Sequence, residues 1–276
     1  CLIDKVTRFE DEHKHPMNID SMTADDLRVF ADFLSSDYDI SMNTIVTNMT
    51  LMRTVCNWVR KQGVTNNDPF FGYDMPKALY GTPYFLTIQE RDQVLDADLT
   101  DDAELAEYRD MFVFQCMVGC RHSDLVTFTP KNIIDGVLEY IPIKTKGKLG
   151  DVVRVPLIPK AMAILDGHDH GDDEPIFPKH YNFKFNDAIR RILKRAKVNR
   201  VVTVINPKTR LEEKKPISDV ATSHLARRTF IGNLYRMVKD PDLVASMSGH
   251  AKGSVAFARY RVIDDDMKKS LVELIQ

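Results

Sequence analysis

Residues 222–230 read TSHLARRTF. With helical spacing, His224 and Arg227 lie three residues apart on one face, and Arg228 points elsewhere. Ile231 and Leu234, four and seven residues beyond Arg227, continue that face as core. The pair is therefore expected half-buried, and a half-buried guanidinium beside an imidazole requires an anion or a carboxylate.

Other polar groups flank this helix along the chain. GCRHSDL, residues 119–125, places Arg121 just after an apolar helix, with Gly119 allowing a turn and Ser123 and Asp124 opening the next helix. VLEYIPIKTKGKLGDVVRVPL, residues 137–157, reads as two β-type runs around a turn that carries Lys144, Lys146 and Lys148. SGHAKGSVAFARY, residues 248–260, sets His250 at a helix boundary and Tyr260 ten residues later. Tyr235 is a competing phenol, but it lies in an apolar helix and reads as core. DGHDHGDDE, residues 166–174, invites a metal reading, yet its glycines and like charges read as a solvated loop.

Toward the N-terminus the pattern is helical. In SMTADDLRVFADFLSS (21–36), Thr23 and Asp26 suit a capping box, and Leu27, Phe30, Phe33 and Leu34 share a face. In SMNTIVTNMTLMRTVCNWVRKQG (41–63), Met42, Ile45, Met49, Met52, Cys56 and Trp58 or Val59 recur every three or four residues, and Gly63 supplies a stop. The opposite face collects Thr44, Thr47, Asn48, Thr50, Arg53, Thr54, Asn57, Arg60 and Lys61, a set able to meet phosphates or plain solvent. Residues 64–86 break every periodicity with three prolines and two glycines and read as a linker. Thr87 and Glu90 then cap a new helix, so a second domain begins near residue 84. It alternates helices with two hairpins, the second over 201–217 with its turn at Asn206 and Pro207, and ends in the amphipathic DDDMKKSLVELI (264–275). The expected fold is mainly α with small β-hairpins: a helical domain followed by a mixed α+β domain.

The chain has 276 residues, 43% hydrophobic and 28% charged, enough for two domains of ordinary globular composition. No apolar run approaches the ~20 residues of a membrane span, and the opening residues do not read as a signal peptide. Cys1, Cys56, Cys116 and Cys120 show no disulfide or zinc spacing and read as reduced thiols. The net charge of −2 hides a contrast. Between Glu90 and Asp110 nine acids face two arginines; between Lys184 and Lys215 eleven cations face three acids. A phosphate backbone responds to such local fields rather than to the average.

Arg121, a hairpin lysine, His224 with Arg227, Gly249 with His250, and Tyr260, in this order and spacing, resemble the tyrosine recombinases. These are the phage-integrase family, which includes integrases of bacterial conjugative transposons. The resemblance implies a SAM-like core-DNA-binding domain over 1–80, a linker over 81–86 and a catalytic domain over 87–276. It implies that Arg121 and Arg227 clamp the scissile phosphate, that His224 is the general base, and that His250 donates a hydrogen bond. Tyr260 attacks, leaving a 3′-phosphotyrosyl link and a free 5′-hydroxyl. The lysine–threonine pair favours Lys144 as proton donor to that oxygen, with Lys146 as the alternative. His250 to Tyr260 is one residue longer than usual, slack that Gly253 can absorb. Because the phosphoester is conserved, no cofactor is expected, neither metal nor ATP. The implied partner is double-stranded DNA, contacted by Arg53, Arg60, Lys61, Arg190, Arg191 and Lys194. A homotetramer on paired sites, accessory DNA-bending proteins, no membrane and a place at the bacterial nucleoid in the cytoplasm complete the expectation. The rivals are a relaxing topoisomerase, a sequence-specific DNA-binding protein with a vestigial pocket, and a metal nuclease, which lacks a carboxylate cluster.

Overall fold

Thr23 and Asp26 close a reciprocal cap, the threonine N–H donating to the carboxylate at 2.7 Å and the Asp26 N–H to the hydroxyl at 3.3 Å. They start α2 (Ala24–Ser36), which packs with α1 (Leu2–His13) and α3 (Met42–Lys61). The computed structural model describes residues 1–145, 152–168, 171–238, 240–250 and 272–273. It falls into two units, Cys1–Gly81 with Val204–Glu213, and Thr82–Thr203 with Lys214–Gln276.

In the first unit Phe9, Leu27, Phe30, Phe33, Leu34, Ile45, Met49, Met52 and Cys56 form one buried cluster. Phe9 meets Phe30 and Phe33 edge-on, centroids 5.3 Å apart, the arrangement that ring quadrupoles favour. Two details of α3 differ from its periodicity. Val59 turns inward while Trp58 stays 61% exposed. Asn48, expected on the polar face, is buried; it accepts from Lys5 Nζ at 3.2 Å and donates to the Thr44 carbonyl at 2.6 Å. Residues 64–79, read from the sequence as part of a linker, pack on this core instead. Phe70 is buried in it, and Asn67 donates to the Ile19 and Met22 carbonyls, both at 2.8 Å. Asn43 pairs with the N–H and the carbonyl of Leu79. Proline and glycine break periodicity, and such side-chain bonds to backbone then take the place of a ladder.

The second unit is built around α5 (Ala103–Val118). Every residue from Met111 to Val118 is buried, which explains a helix apolar on all sides. It stops at Gly119, whose φ of 68° is left-handed; a Cβ there would lie 2.2 Å from the Phe230 ring. Before it runs α4 (Ile88–Leu95), capped by Thr87 and Glu90, and after it the short α6 (His122–Leu125). An antiparallel sheet follows in the order β1 (Ile133–Ile134), β2 (Val137–Tyr140), β3 (Val153–Pro156). Leu138 pairs with Val155 and Tyr140 with Val153; these four face inward, and Glu139 pairs with Arg154 on the exposed side. Then come α7 (Pro159–Asp166), α8 (Asn182–Arg195), the hairpin of β4 (Val201–Ile205) and β5 (Glu212–Pro216), α9 (Ile217–Val220), α10 (Ser223–Val238) and α11 (Pro241–Ser248). The hairpin tip belongs to the first unit, where the Pro207 carbonyl accepts from Met42 N–H at 3.3 Å and Lys208 pairs with Asp39.

The acidic and basic stretches are joined by ion pairs within the second unit. Arg191 meets Asp102 at 2.7 Å, Arg195 meets Asp101 at 2.5 Å and Arg200 meets Glu90 at 2.7 Å, while Lys160, outside the basic stretch, meets Asp92 at 2.7 Å. Part of the local field expected from the sequence is therefore spent within the unit.

Candidate active site

Arg227 is 2% exposed, near the start of α10, and its position is fixed by what it donates to. Its Nη1 reaches the Gly119 carbonyl at 2.7 Å, at the end of α5. Its Nη2 lies 3.0 Å from His250 Nδ1 and 3.2 Å from Nε2. A guanidinium only donates, so the ring presents an acceptor to it. Gly249, with φ 64°, closes α11 and aims His250 inward, and Ser248 Oγ lies 2.9 Å from Nδ1.

Arg121 leaves the same turn. Gln115 Nε2 donates to the Cys120 carbonyl at 3.0 Å, so Gln115 and Arg227 both hold the turn that carries Arg121. Three residues on, Asp124 is 1% exposed, with one carboxylate oxygen 4.0 Å from Arg121 Nη1. Its other oxygen accepts the Ile143 N–H at 2.9 Å, anchoring the 3₁₀ turn Ile143–Thr145. Lys144 stands exposed on that turn. Lys146, Lys148 and Tyr260 lie outside the described residues.

Arg121, His224 and Arg227 line one cavity of about 290 Å³ together with Gln115 and Asn182. His224 is accessible from solvent yet recessed there. Loss of hydration, then the charges of Arg228, Arg227, Arg121 and Lys144, hold its pKa below the ordinary value. His250 is pushed further, to about 3, by burial first and then by Arg227, Arg121 and Lys144. Both imidazoles are neutral at pH 7, and Arg227, Arg121 and Lys144 act on each. Arg121, Lys144, His224, Arg227 and His250, scattered over 130 positions, are thus brought into one electrostatic neighbourhood. With two arginines in its lining and Lys144 adding to the positive field, the cavity suits an anion.

Three groups of this arrangement were not singled out from the sequence: Gln115, Ser248 and Asp124 as an anchor. A buried amide in an all-apolar helix was the available signal for Gln115; for Asp124 it was the i,i+3 spacing from Arg121. Tyr235, read as core, is only half-buried, because the core face of α10 fades after Ile231. His168 sits 3.6 Å from Asp110 against the Phe177 ring, His170 lies outside the described residues, and no group able to hold a metal ion occurs among the described residues.

The cations expected to meet DNA have mixed surroundings. Arg53 and Lys61 are exposed on α3, and Arg60 is exposed there but paired with Asp68. Arg190 is half-buried, Arg191 holds Asp102, and Lys194 holds Asp219 at 2.8 Å. The hydroxyls of Thr47, Thr50 and Thr54 each donate to the carbonyl four residues back. Their single protons are spent inside the helix, so these side chains are not free donors to phosphate.

No curated protein sequence matches the chain. Among solved structures, a Tn1549 transposon integrase in complex with transposon right end DNA is similar at TM-score 0.71 and 15% identity, over 99% of this chain and 92% of that one. A lambda integrase (75-356) dimer bound to a COC′ core site is similar at TM-score 0.65 and 14% identity, over 95% and 88%. XerH site-specific recombinase bound to difH substrate follows at TM-score 0.62 and 14% identity, over 99% and 77%. At these identities the likeness establishes the fold. Residues 84–267 match the family model described as Phage integrase family, and the chain belongs to that family, the tyrosine recombinases.

Proposed function

We propose that the chain is a site-specific DNA recombinase that cuts and rejoins strands through a 3′-phosphotyrosyl intermediate. The observation that carries this reading is the cavity in which Arg121 and Arg227 converge beside two neutral imidazoles. A phosphodiester gains negative charge on its non-bridging oxygens in the transition state, and two fork-shaped donors in a recessed site stabilise that charge. His224, kept neutral by loss of hydration and then by its cationic neighbours, is the base that takes the Tyr260 proton as the phenol attacks. His250 donates a hydrogen bond to the phosphate. Lys144, on the turn anchored by Asp124, gives a proton to the departing 5′-oxygen, which leaves as a hydroxyl. Tyr260 is bonded to phosphorus until another 5′-hydroxyl displaces it. The bond count is unchanged, so neither metal nor nucleotide is consumed.

Double-stranded DNA is the partner. The family and the DNA-bound complexes among the similar structures support it, as does a lambda integrase tetramer bound to a Holliday junction for assembly on paired sites. The helical unit acts as the core-DNA-binding domain through Arg53, Arg60 and Lys61; Arg190, Arg191 and Lys194 add contacts on α8. Accessory DNA-bending proteins and a place at the bacterial nucleoid in the cytoplasm belong to the same reading.

A substrate nicked beside the cleavage site, built on whatever sequence the protein protects, traps the covalent species. Wild type is expected to give a denaturation-resistant adduct and Tyr260→Phe none. An adduct formed by Tyr260→Phe refutes the assigned nucleophile. DNA binding with no adduct from either protein leaves a binding protein with a vestigial pocket, and relaxed circles without joined sites indicate a topoisomerase.

A further inference from the structure

The cavity that takes in Arg121, His224 and Arg227 also takes in Asn182, at the start of α8. The residues on either side of Asn182 leave their rings in solvent: Tyr181 is 74% exposed and Phe183 68%. The two rings stack on each other, centroids 5.9 Å apart with 21° between planes, whereas Phe185 two residues on is fully buried. A pair of large rings held together at the rim of a polar cavity is a flat apolar surface that the fold itself does not cover. Its neighbours along the chain are cationic. Lys179 and Lys184 flank the pair, both are exposed, and no carboxylate occurs between positions 179 and 186.

We propose that Tyr181 and Phe183 form a stacking platform for one unpaired nucleobase of the DNA strand whose phosphate the Arg121–Arg227 cavity holds. The proposal rests on that reading of the cavity. Every base has a π-face, so two exposed rings accept any of the four, while flanking lysines hold the phosphates to either side. Exchanging strands requires bases beside the cut to leave one partner before meeting another, and a base out of its stack regains stacking on the platform. Asn182 marks where the backbone turns into the cavity while the base stays outside on the rings. An intact duplex has its faces occupied by neighbouring pairs and gains nothing there, so the platform discriminates by pairing state rather than by sequence.

The test compares two probes, a short intact duplex and the same duplex with one extra unpaired 2-aminopurine, whose fluorescence falls on stacking. Wild type is expected to bind the bulged duplex about tenfold more tightly and to quench it, the range set by one base on aromatic side chains. The double variant Tyr181→Ala/Phe183→Ala loses both the preference and the quenching but keeps its affinity for the intact duplex; Tyr181→Phe keeps all three. Both substitutions are at exposed positions, and thermal melting checks the fold. Equal affinity of wild type for the two probes, or a preference that survives in the double variant, overturns the platform while leaving the cavity to the adduct assay. Failure of wild type to bind either probe overturns the DNA reading, and the platform with it.

Discussion

The two units bury different things. Of the eight polar or charged residues buried among the described residues, Asn48 alone belongs to the first unit. The second unit buries Gln115, Asp124, Ser218, Ser223, Arg227, Thr229 and Ser248. The first is held by the area of rings and aliphatic chains, a non-directional force that needs only volume and pattern. The second spends directional bonds inside a medium where an unpaired polar group costs about 1–3 kcal/mol. Five of its seven form the site or brace it: Arg227 and Ser223 in the cavity, Gln115 and Asp124 on the segments that carry Arg121 and Lys144, and Ser248 against His250. Polar burial separates scaffold from site in this chain.

The largest effect expected from breaking the apolar side of that contrast is on stability. Phe30→Ala empties a fully buried position between α1, α2 and α3 and should cost about 3–5 kcal/mol in urea unfolding. Adduct formation by the folded fraction at saturating DNA should not change. The converse substitution, Arg227→Lys, keeps the charge and removes the fork that spans the Gly119 carbonyl and His250. Adduct formation should slow by about 10²–10³-fold, with a loss of stability of about 1–3 kcal/mol, below that of Phe30→Ala. Equal losses of rate from the two variants would erase the distinction.

The same contrast governs what was legible beforehand. Leu27, Phe30, Phe33 and Leu34 are visible because a helix repeats its face every three or four residues, and one face must leave water. Capping at Thr23 and Thr87 was visible because both partners sit within one turn. Asn48 was misplaced because side-chain length lets an amide at the edge of a face reach a long-range partner, here Lys5. Residues 64–79 read as linker because their packing uses single anchors such as Asn67 rather than a period. The hairpin tip over 204–213 joins the first unit through contacts more than 160 residues apart in the chain, such as Lys208 with Asp39, which no local pattern encodes. The charge contrast between residues 90–110 and 184–215 is real in composition and is partly offset in space by three ion pairs. The gathering of Arg121, His224, Arg227 and His250 came from a family resemblance, whereas Gln115 and Asp124, which act on backbone groups, needed the coordinates.

His250 offers a finer probe of the polar side. Its pKa in the folded chain is about 3 against an ordinary value near 6.5. A lowered histidine pKa means that the unfolded chain takes up the proton first. The associated stability is present above pH 6.5 and is lost as the pH falls from there toward 3. Partial exposure and salt reduce the effect, so urea unfolding at pH 4.5 should show roughly 1–2 kcal/mol less stability from this group than at pH 7. His250→Asn should flatten that part of the curve. A variant that follows the wild-type pH dependence would assign the acid sensitivity elsewhere.

The smallest effect tests whether the paired surface charges are structural or held in reserve for DNA. Arg191 and Asp102 meet at 2.7 Å with side chains 56% and 29% exposed. A double-mutant cycle on such a pair should give only about 0.2–1 kcal/mol of coupling, too little to account for keeping nine acids opposite eleven cations. If the pair matters mainly because it masks a phosphate contact, Asp102→Asn should leave stability nearly unchanged and free the guanidinium. Duplex affinity should then rise at low salt, and the dependence of log K on log salt should steepen by about 0.9, the slope of one added phosphate contact. An unchanged slope would mean that Arg191 faces its own unit and not the duplex, and that the basic stretch of the sequence is largely the inner half of a neutral surface.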